Sequence, residues 1–358
     1  MTNALTRNYL SWPEVSKRYT LQGFLKLEHG GGGSLTRELL EKVIIPSFTL
    51  NHLERGVGLP EMDDGATIPL SDGNNIVVTT DATTVKPLFF PGGDLGRLSI
   101  CGAINDLSMM GARPIALAST LVVEEGFPVS TLKELLASMD EVMVEVGVPL
   151  IAGDTKVVEQ GSLDEIIAST TGIGLAEGVI TDSGSRPGDK IIVSGTIGNH
   201  QLSLLSKREG LSFEAPVESD VAPLWGMIEK ALEVGGIKAM KDPTRGGLSG
   251  ALNELARKAG VDFVLKEEAI PVKGVVTSAT EMLGLDPLEL ANEGIALMVV
   301  EAEKADDVLG VLMKTELGKD AAIVGEVREG PSRVILETQI GGRRIVREPY
   351  GSPMPRIC

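Results

Sequence analysis

The stretch Leu95–Val123, which reads LGRLSICGAINDLSMMGARPIALASTLVV, shows most clearly how helices and strands alternate in this chain. Its first half repeats apolar residues at helical spacing and predicts a helix over Leu95–Met110, with Cys101 on the apolar side. Its second half is rich in apolar and β-branched residues and predicts a strand over Pro114–Val123. A helix followed at once by a buried strand is typical of proteins that layer helices on sheets.

The same alternation continues on both sides of this stretch. Further strands are predicted at Ile76–Thr80, Val148–Ala152, Ile166–Leu175, Lys190–Ser194, Ile295–Val300 and Arg333–Glu337, and further helices at Leu35–Ile45, Thr131–Val146 and Leu248–Lys258. Turn-forming residues crowd the segment 178–188 and indicate a domain boundary there. We therefore predict an α+β protein with two α/β-type domains.

Four regions follow from this pattern. Residues 1–26 are polar and weakly periodic and form an N-terminal extension; residues 27–177 and 178–331 form the two domains. Residues 332–358 are predicted to be a C-terminal tail. The last ten positions hold three prolines and a glycine, which exclude a helix and favour an extended, mobile arm.

Composition narrows the possible functions. The chain has 358 residues, 50 acidic and 33 basic, with a formal net charge of −17, so it should repel nucleic acid and anionic membranes. Aromatic residues make up only 3%, which disfavours stacking on bases. No apolar run approaches the ~18 residues of a membrane span, and two cysteines without metal-site spacing suit a reducing compartment. We expect a cytoplasmic location.

Two glycine-rich motifs precede predicted helices. The first places Gly31, Gly32 and Gly33 before the Leu35 helix, where free backbone N–H groups can bind phosphate. A flexible linker explains four glycines equally well, and the spacing matches neither a Walker A nor a Rossmann loop. The second, Asp242–Gly247, joins an acid, a proline and Arg245 to Gly246 and Gly247, although helix capping alone also explains it.

Four aspartates are candidate Mg²⁺ ligands that would hold a nucleotide. Asp64 lies in a turn, Asp81 ends a strand, and Asp154 follows another strand, which is a common position for ligand groups. Asp106 lies near the C-terminal end of its helix, where the dipole disfavours an anion unless a cation is bound. Solvated surface acids are the alternative.

Three further residues are candidates for catalysis. Cys358 ends the chain on the predicted mobile arm, so its thiolate should be accessible, although many terminal cysteines are accidental. Lys156 follows Asp154 by two residues and could contact phosphate or transfer a proton, while surface exposure is the usual explanation for a lysine. Glu293 precedes an apolar strand and is ambiguous alone.

Taken together, the motifs resemble a known family. The matching stretches are His29–Gly33, Asp64–Ala66, Thr79–Asp81, Gly93–Gly111, Gly153–Val157, Asp242–Gly247, Asn292–Gly294 and Pro355–Cys358. They resemble the hydrogenase maturation proteins of the HypE family, in the superfamily of aminoimidazole ribonucleotide synthetase, selenophosphate synthetase and thiamine phosphate kinase. The internal motifs indicate the superfamily, and the Pro-Arg-Ile-Cys ending indicates the family. The N-terminal extension departs from its pattern.

The resemblance implies both an assembly and a reaction. It implies a homodimer in which N-terminal strands pair into a barrel, with ATP and Mg²⁺ bound nearby by the motif glycines, Arg245 and the aspartates, Asp242 included. It implies that HypF loads a carbamoyl group onto Cys358 and that ATP drives its dehydration to a thiocyanate. The cyanide then passes to iron on a HypC–HypD scaffold. Glu293 and Lys156 are the implied proton-transfer groups.

Two other functions stay open on the sequence. A superfamily relative could phosphorylate a free small molecule, in which case Cys358→Ala would leave turnover intact. A passive carrier of carbamoyl or cyanide would hold cargo on Cys358 and consume no ATP.

Overall fold

A computed structural model describes residues 23–211, 216–351 and 357–358. Within these ranges the chain forms two main sheets, each packed with helices, so the predicted mixture of helices and strands is confirmed. In the described parts of the chain, every helix falls short of the length and apolarity that crossing a bilayer requires.

The first half of the chain builds a five-stranded sheet. After a 3-10 turn at Leu27–Gly30, its elements are α1 (Gly33–Leu39), β1 (Ala66–Pro69), β2 (Asn75–Thr83), β3 (Phe89–Phe90), β4 (Gly93–Asp94), α2 (Leu95–Met109), β5 (Arg113–Glu124), α3 (Val129–Val146), β6 (Leu150–Val158) and β7 (Ile166–Ala176). The strand order is β1-β2-β7-β5-β6, antiparallel except for the parallel pair β5–β6. β3 and β4 form a separate small hairpin.

Among the residues that the structure describes, helices cover one face of this sheet and leave the other uncovered. Strand β7 alternates strictly between buried and half-buried residues, as a strand covered on one face does. The buried face packs against α2 and α3 in a core that includes Leu98, Ile104 and Leu135. The opposite face carries Val78 and its cross-strand neighbour Ile173, both half-exposed.

The second half builds a seven-stranded sheet. Its elements are β8 (Lys190–Val193), α4 (Asn199–Glu209), α5 (Trp225–Val234), β9 (Ile237–Lys241), α6 (Gly247–Ala259), β10 (Asp262–Lys266), α7 (Gly274–Leu283), β11 (Leu297–Val300), α8 (Ala305–Leu312), β12 (Ala322–Arg328), β13 (Val334–Glu337) and β14 (Arg343–Val346). The strand order is β14-β13-β10-β12-β8-β11-β9, with only β10–β13 parallel.

Both faces of this second sheet are covered. All four residues of β11 are buried, which explains their unbroken apolar run. On one face Leu297 and Val299 join a core with α6, and on the other Met298 and Val300 join a core with α5 and α8. The sheet is therefore a central layer between two apolar cores.

The local predictions succeed where the sequence pattern is regular. The helix and strand in the opening stretch are confirmed as α2 and β5. The strand predicted at Val148–Ala152 instead occupies Leu150–Val158, because it continues through polar, exposed residues that an apolar-run criterion stops at. The helix predicted at Leu35–Ile45 is regular only over Gly33–Leu39 and continues as a π-helical turn, Leu40–Ile44.

Candidate active site

Residues from both halves line one cleft of about 540 Å³, a size ordinary for small-molecule sites. Ten of the predicted site residues line it: Gly32, Gly33, Asp64, Asp81, Asp106, Asp242, Arg245, Gly247, Glu293 and Cys358. Gly31 and Gly246 lie beside the lining positions, and Asp154 and Lys156 lie on β6. The fold therefore brings together motifs that lie far apart along the chain.

The aspartates in the cleft form an acidic cluster. Burial raises the pKa of Asp106 well above its ordinary value, and repulsion from Asp242, Asp64 and Asp81 adds to the shift. Burial likewise raises the pKa of Asp242 to about 6. Thr79 on β2 donates a 2.5 Å hydrogen bond to Asp106 Oδ2. Repulsion of this kind favours a bound cation.

A lysine that the sequence reasoning missed faces this cluster. Lys241, the last residue of β9, places its Nζ 2.6 Å from Asp64 Oδ1 and 3.1 Å from Asp182 Oδ2. Burial alone would lower the pKa of Lys241, but attraction to these two carboxylates raises it well above the ordinary value. Lys258 lies 2.6 Å from the same Asp182 oxygen and 3.0 Å from Asp63 Oδ1. Through these ion pairs, Lys241 and Lys258 connect the loop that carries Asp63 and Asp64 to the second half of the chain.

The first glycine motif contacts the second motif and the tail. Arg245 Nη1 donates to the carbonyl oxygen of Gly30 at 3.2 Å, and a Cβ at Gly32 would come within 2.8 Å of the Arg245 backbone. Gly33 has a φ of +74°, and a Cβ there would overlap the carbonyl oxygen of Pro349. Glycine is required at both positions because the backbones approach so closely.

The first N–H groups of α1 donate to the tail. The backbone N–H of Ser34 donates to Pro349 O at 2.9 Å, and that of Leu35 to Tyr350 O at 3.2 Å. Arg37 grips Glu348 with two hydrogen bonds, of 2.8 and 3.2 Å. The N-terminus of α1, which was predicted to bind phosphate, therefore binds Pro349 and Tyr350 of the C-terminal tail in this structure.

The end of the tail enters the cleft. Ile357 is 2% exposed and belongs to a core cluster that contains residues of both halves, and Cys358 packs beside it. The expectation of an exposed terminal thiol is wrong for this conformation: Cys358 is only partly exposed, and burial raises the pKa of its thiol, although Arg245 opposes the shift. Residues 352–356 of the predicted arm lie outside the described part of the chain.

Glu293 is a buried acid near the terminal cysteine. It is 3% exposed, and its Oε1 has no hydrogen-bond partner among the described residues. Burial, followed by repulsion from Asp242 and Asp81, raises the pKa of Glu293 well above its ordinary value. A raised pKa brings a carboxylate closer to the strength a general base needs near neutral pH.

Asp154 and Lys156 project away from this cluster. Their cross-strand neighbours on β5 are Thr120 and Val122, whereas Ser119, which neighbours Gly153, is buried on the helix-covered side. Because side chains alternate along a strand, Asp154 and Lys156 share the uncovered face of the sheet.

Comparison with known proteins places this architecture. Residues 62–176 match the AIR synthase related protein N-terminal domain, and residues 186–337 match its C-terminal domain. Carbamoyl dehydratase HypE of Cupriavidus necator is 43% identical over 340 residues, covering 94% of this chain and 95% of that protein. Carbamoyl dehydratase HypE of Escherichia coli is 37% identical over 340 residues, covering 93% and 99%. This chain belongs to the HypE family.

Solved HypE structures share the fold. A HypE–HypF complex gives a TM-score of 0.81 at 46% identity, covering 87% of this chain and 99% of that chain. A HypE in complex with ATP gives a TM-score of 0.77 at 39% identity, covering 94% of this chain and all (100%) of that chain.

In this HypE-family chain, the sequence alone did not identify Lys241 or His200 as functional candidates, and the reasons differ. Lys241 directly precedes the Asp242 motif, so its neighbour could have pointed to it. His200 lies in none of the motifs, and its ring contacts Ser219 and Ile357, which lie 19 and 157 residues away. No local signal could have found such a contact.

Proposed function

We propose that this chain dehydrates a carbamoyl group carried on its own Cys358, using ATP, and so produces a thiocyanate. The observation that carries the proposal is the position of Cys358, which lines the same cleft as Arg245, Glu293 and the acidic cluster. A terminal residue that is both covalent carrier and reacting group needs such a position. The names and the nucleotide complex of the related HypE proteins support the same reaction.

The reaction has two steps whose atoms balance. The carbamoyl oxygen attacks the γ-phosphorus of ATP, ADP leaves, and one N–H proton is lost, which gives an O-phosphorylated imidate on sulfur. Loss of the second N–H proton then breaks the carbon–oxygen bond, so that phosphate leaves with the former carbamoyl oxygen. The thioester-like carbon becomes a nitrile, and no oxidant or reductant is required.

The residues of the cleft suit these steps. Arg245 supplies a positive charge where phosphoryl transfer develops negative charge. Glu293 is the candidate base for an N–H proton, because its buried carboxylate has a raised pKa and an unpaired oxygen. Gly32, Gly33 and Gly247 line the cleft without side chains, so only their main chain would face a nucleotide there.

The acidic cluster fits a magnesium ion. Asp64 Oδ2 is buried without a hydrogen-bond partner in the described part of the chain, and burial, with repulsion from neighbouring carboxylates, raises the pKa of Asp106. No three acids, histidines or cysteines of the described residues are arranged as a metal site by themselves, but Mg²⁺ commonly takes one or two carboxylates and completes its shell with phosphate and water. Asp64, Asp81, Asp106 and Asp242 would hold it, and the ion would neutralise phosphate charge.

A homodimer would bring Asp154 and Lys156 into use. β6 is the edge of its sheet, and Ile151 and Val157 on it are 63% and 68% exposed. An apolar edge and an uncovered sheet face both need a partner in a soluble protein. We propose that two copies close a barrel through these surfaces, and that Asp154 and Lys156 of one copy serve the cleft of the other.

The partners follow from the chemistry of the cargo. The carbamoyl group would come from HypF, as a complex between a related HypE and HypF supports. The cyanide would pass to iron on a HypC–HypD scaffold and serve nickel–iron hydrogenase maturation in the cytoplasm. In the conformation seen here burial disfavours the Cys358 thiolate, so loading requires the tail to leave the cleft.

Mass spectrometry of the C-terminal peptide tests the proposal. A sample carbamoylated on Cys358 should lose the mass of one water when Mg²⁺ and ATP are added, and ADP should appear in equal amount. Cys358→Ala should neither accept the cargo nor consume ATP in response to it, while Cys101→Ala should behave as wild type. Retained cargo without ATP use would indicate a passive carrier, and ATP use by Cys358→Ala on a free substrate would indicate a small-molecule kinase.

A further inference from the structure

We infer that His200 and Ser219 form a receptor for the main chain of the penultimate residue, Ile357, and so position Cys358 for reaction. This inference rests on the proposed function but concerns His200, Ser219 and Ile357, which lie outside the lining of the cleft. It assigns a role to a buried histidine that neither the acidic cluster nor the glycine motifs involve.

The hydrogen bonds around His200 form a continuous chain. The ring is 0% exposed; its Nε2 lies 2.7 Å from the carbonyl oxygen of Ile357, and its Nδ1 lies 2.7 Å from Ser219 Oγ. The backbone N–H of Val221 donates to Ser219 Oγ at 3.1 Å. Ser219 itself is fixed by its N–H, which donates to Pro91 O at 2.8 Å.

The chain of bonds allows one tautomer. A carbonyl oxygen only accepts, so Nε2 must carry the proton that is donated to Ile357. Burial lowers the pKa of His200 to about 4, so the ring is neutral and Nδ1 accepts from the Ser219 hydroxyl. When the tail withdraws, the Nε2–H loses this acceptor inside a buried site. A buried donor without a partner is unfavourable, so the receptor favours the docked tail.

The Ile357 side chain provides the second half of the recognition. It is 2% exposed and belongs to the same apolar cluster as Phe90, Leu204 and Val221. Phe90 also meets the His200 ring edge to face, with centroids 5.5 Å apart, and holds the ring in place. The receptor therefore recognises the branched apolar side chain and the backbone carbonyl of Ile357. Neither contact depends on the group that Cys358 carries.

This separation of tail recognition from cargo recognition has a functional use. The free thiol, the carbamoyl form and the cyano form would all dock through the same Ile357 contacts. Cys358 would then enter the cleft beside Arg245 and Glu293 in a fixed position, whichever group it holds. His200 is accordingly a positioning residue and takes no part in bond making.

Alkylation of the two native cysteines tests the inference without nucleotide or cargo. Cys358 is partly exposed and sits on the tail, whereas Cys101 is 0% exposed inside α2 and reports on the integrity of the fold. In His200→Phe, the iodoacetamide labelling rate of Cys358 should rise about tenfold or more, equivalent to roughly 1.4 kcal/mol of lost docking. Cys101 should stay protected.

Two further variants make the result decisive. His200→Gln keeps an amide N–H near the position of Nε2 and should restore slow labelling of Cys358, together with the single-turnover dehydration rate that His200→Phe lowers. A Cys358 rate unchanged in His200→Phe, with Cys101 still protected, would overturn the inference. If His200→Phe also exposes Cys101, Ser219→Ala replaces it as the test variant, since it keeps the imidazole. Faster labelling of Cys358 with Cys101 still protected would then support the inference, and an unchanged Cys358 rate would overturn it. Because labelling needs no ATP, this result and that of the dehydration assay are independent.

Discussion

Replacing Glu293 by glutamine should lower the dehydration rate and raise the stability of the fold. Glutamine has nearly the same shape, so the buried position is filled, but it cannot take a proton. If Glu293 is the general base, single-turnover dehydration of preloaded Cys358 should fall about 10²–10⁴-fold. In the wild type, the rate should fall as pH drops through the raised pKa of Glu293, because only the ionised form is a base.

The stability change follows from the environment of the carboxylate. A buried polar group without a partner costs about 1–3 kcal/mol, and Glu293 Oε1 has none among the described residues. A glutamine amide can donate to the carboxylates that surround it. We therefore expect the free energy of unfolding of Glu293→Gln to exceed that of wild type by about 1–3 kcal/mol near pH 8.

The gain should depend on pH with a definite sign. The folded pKa of Glu293 lies above its unfolded value of about 4.3, so the wild type loses stability as pH rises from that value through the folded pKa. The advantage of the variant should therefore be smallest near pH 5 and increase with pH. Urea unfolding at both ends of this range, beside the mass assay, measures both effects.

Two outcomes would refute this reasoning. Dehydration at the wild-type rate in Glu293→Gln would show that another group removes the proton, with Lys156 the next candidate. A variant that loses activity and is also destabilised at high pH would show that Glu293 is ionised and paired in the folded state, contrary to its surroundings here.

Three further perturbations test the cleft, the tail and the assembly. Lys241→Met leaves Asp64 without its buried ion pair and should cost about 3–5 kcal/mol of unfolding free energy in urea. Gly33→Ala forces a Cβ onto Pro349 O at a φ of +74°, at a cost of about 1–3 kcal/mol, and should speed alkylation of the terminal cysteine. Ile151→Lys puts a charge on the exposed edge strand and should convert a dimer to a monomer in light scattering.

Each has a matched control in the same chain. Lys190→Met removes a half-exposed ion pair and should cost no more than about 1 kcal/mol. Gly73→Ala has a φ of +93° but meets nothing within 4 Å, so it should leave alkylation unchanged. Val144→Lys alters a residue that is 72% exposed on α3, away from the edge strand, and should leave the mass unchanged. If a control variant changes the measured quantity as much as its test variant does, the cause stated for that test variant is refuted.

Sequence reasoning succeeded where the information is local. The helix α2 and the strand β5 are encoded by periodicities over a dozen or so residues, and ten predicted site residues line one cleft. It did less well where a partner lies far along the chain. The contact of His200 with Ile357 spans 157 residues, and no spacing rule reaches that distance.

Two other differences have physical causes. β6 is an edge strand with exposed residues on both sides, so neither alternation nor an apolar run marks its end. The terminal thiol was expected in solvent because prolines favour an extended arm, but Ile357 is buried in the core and Cys358 packs beside it. The chemistry of Asp154 and Lys156 stays a prediction, since it depends on a second copy.

The grip of α1 on Pro349 and Tyr350 limits where the cysteine can travel. Eight residues follow Tyr350, and a fully extended chain of that length reaches about 26 Å. If Cys358 carries the cargo as proposed, the protein that donates the cargo and the one that accepts it would both have to bind within this distance of Tyr350. A protein that loads the tail and one that unloads it would compete for the same surface near Tyr350. Loading and unloading would then have to occur one after the other.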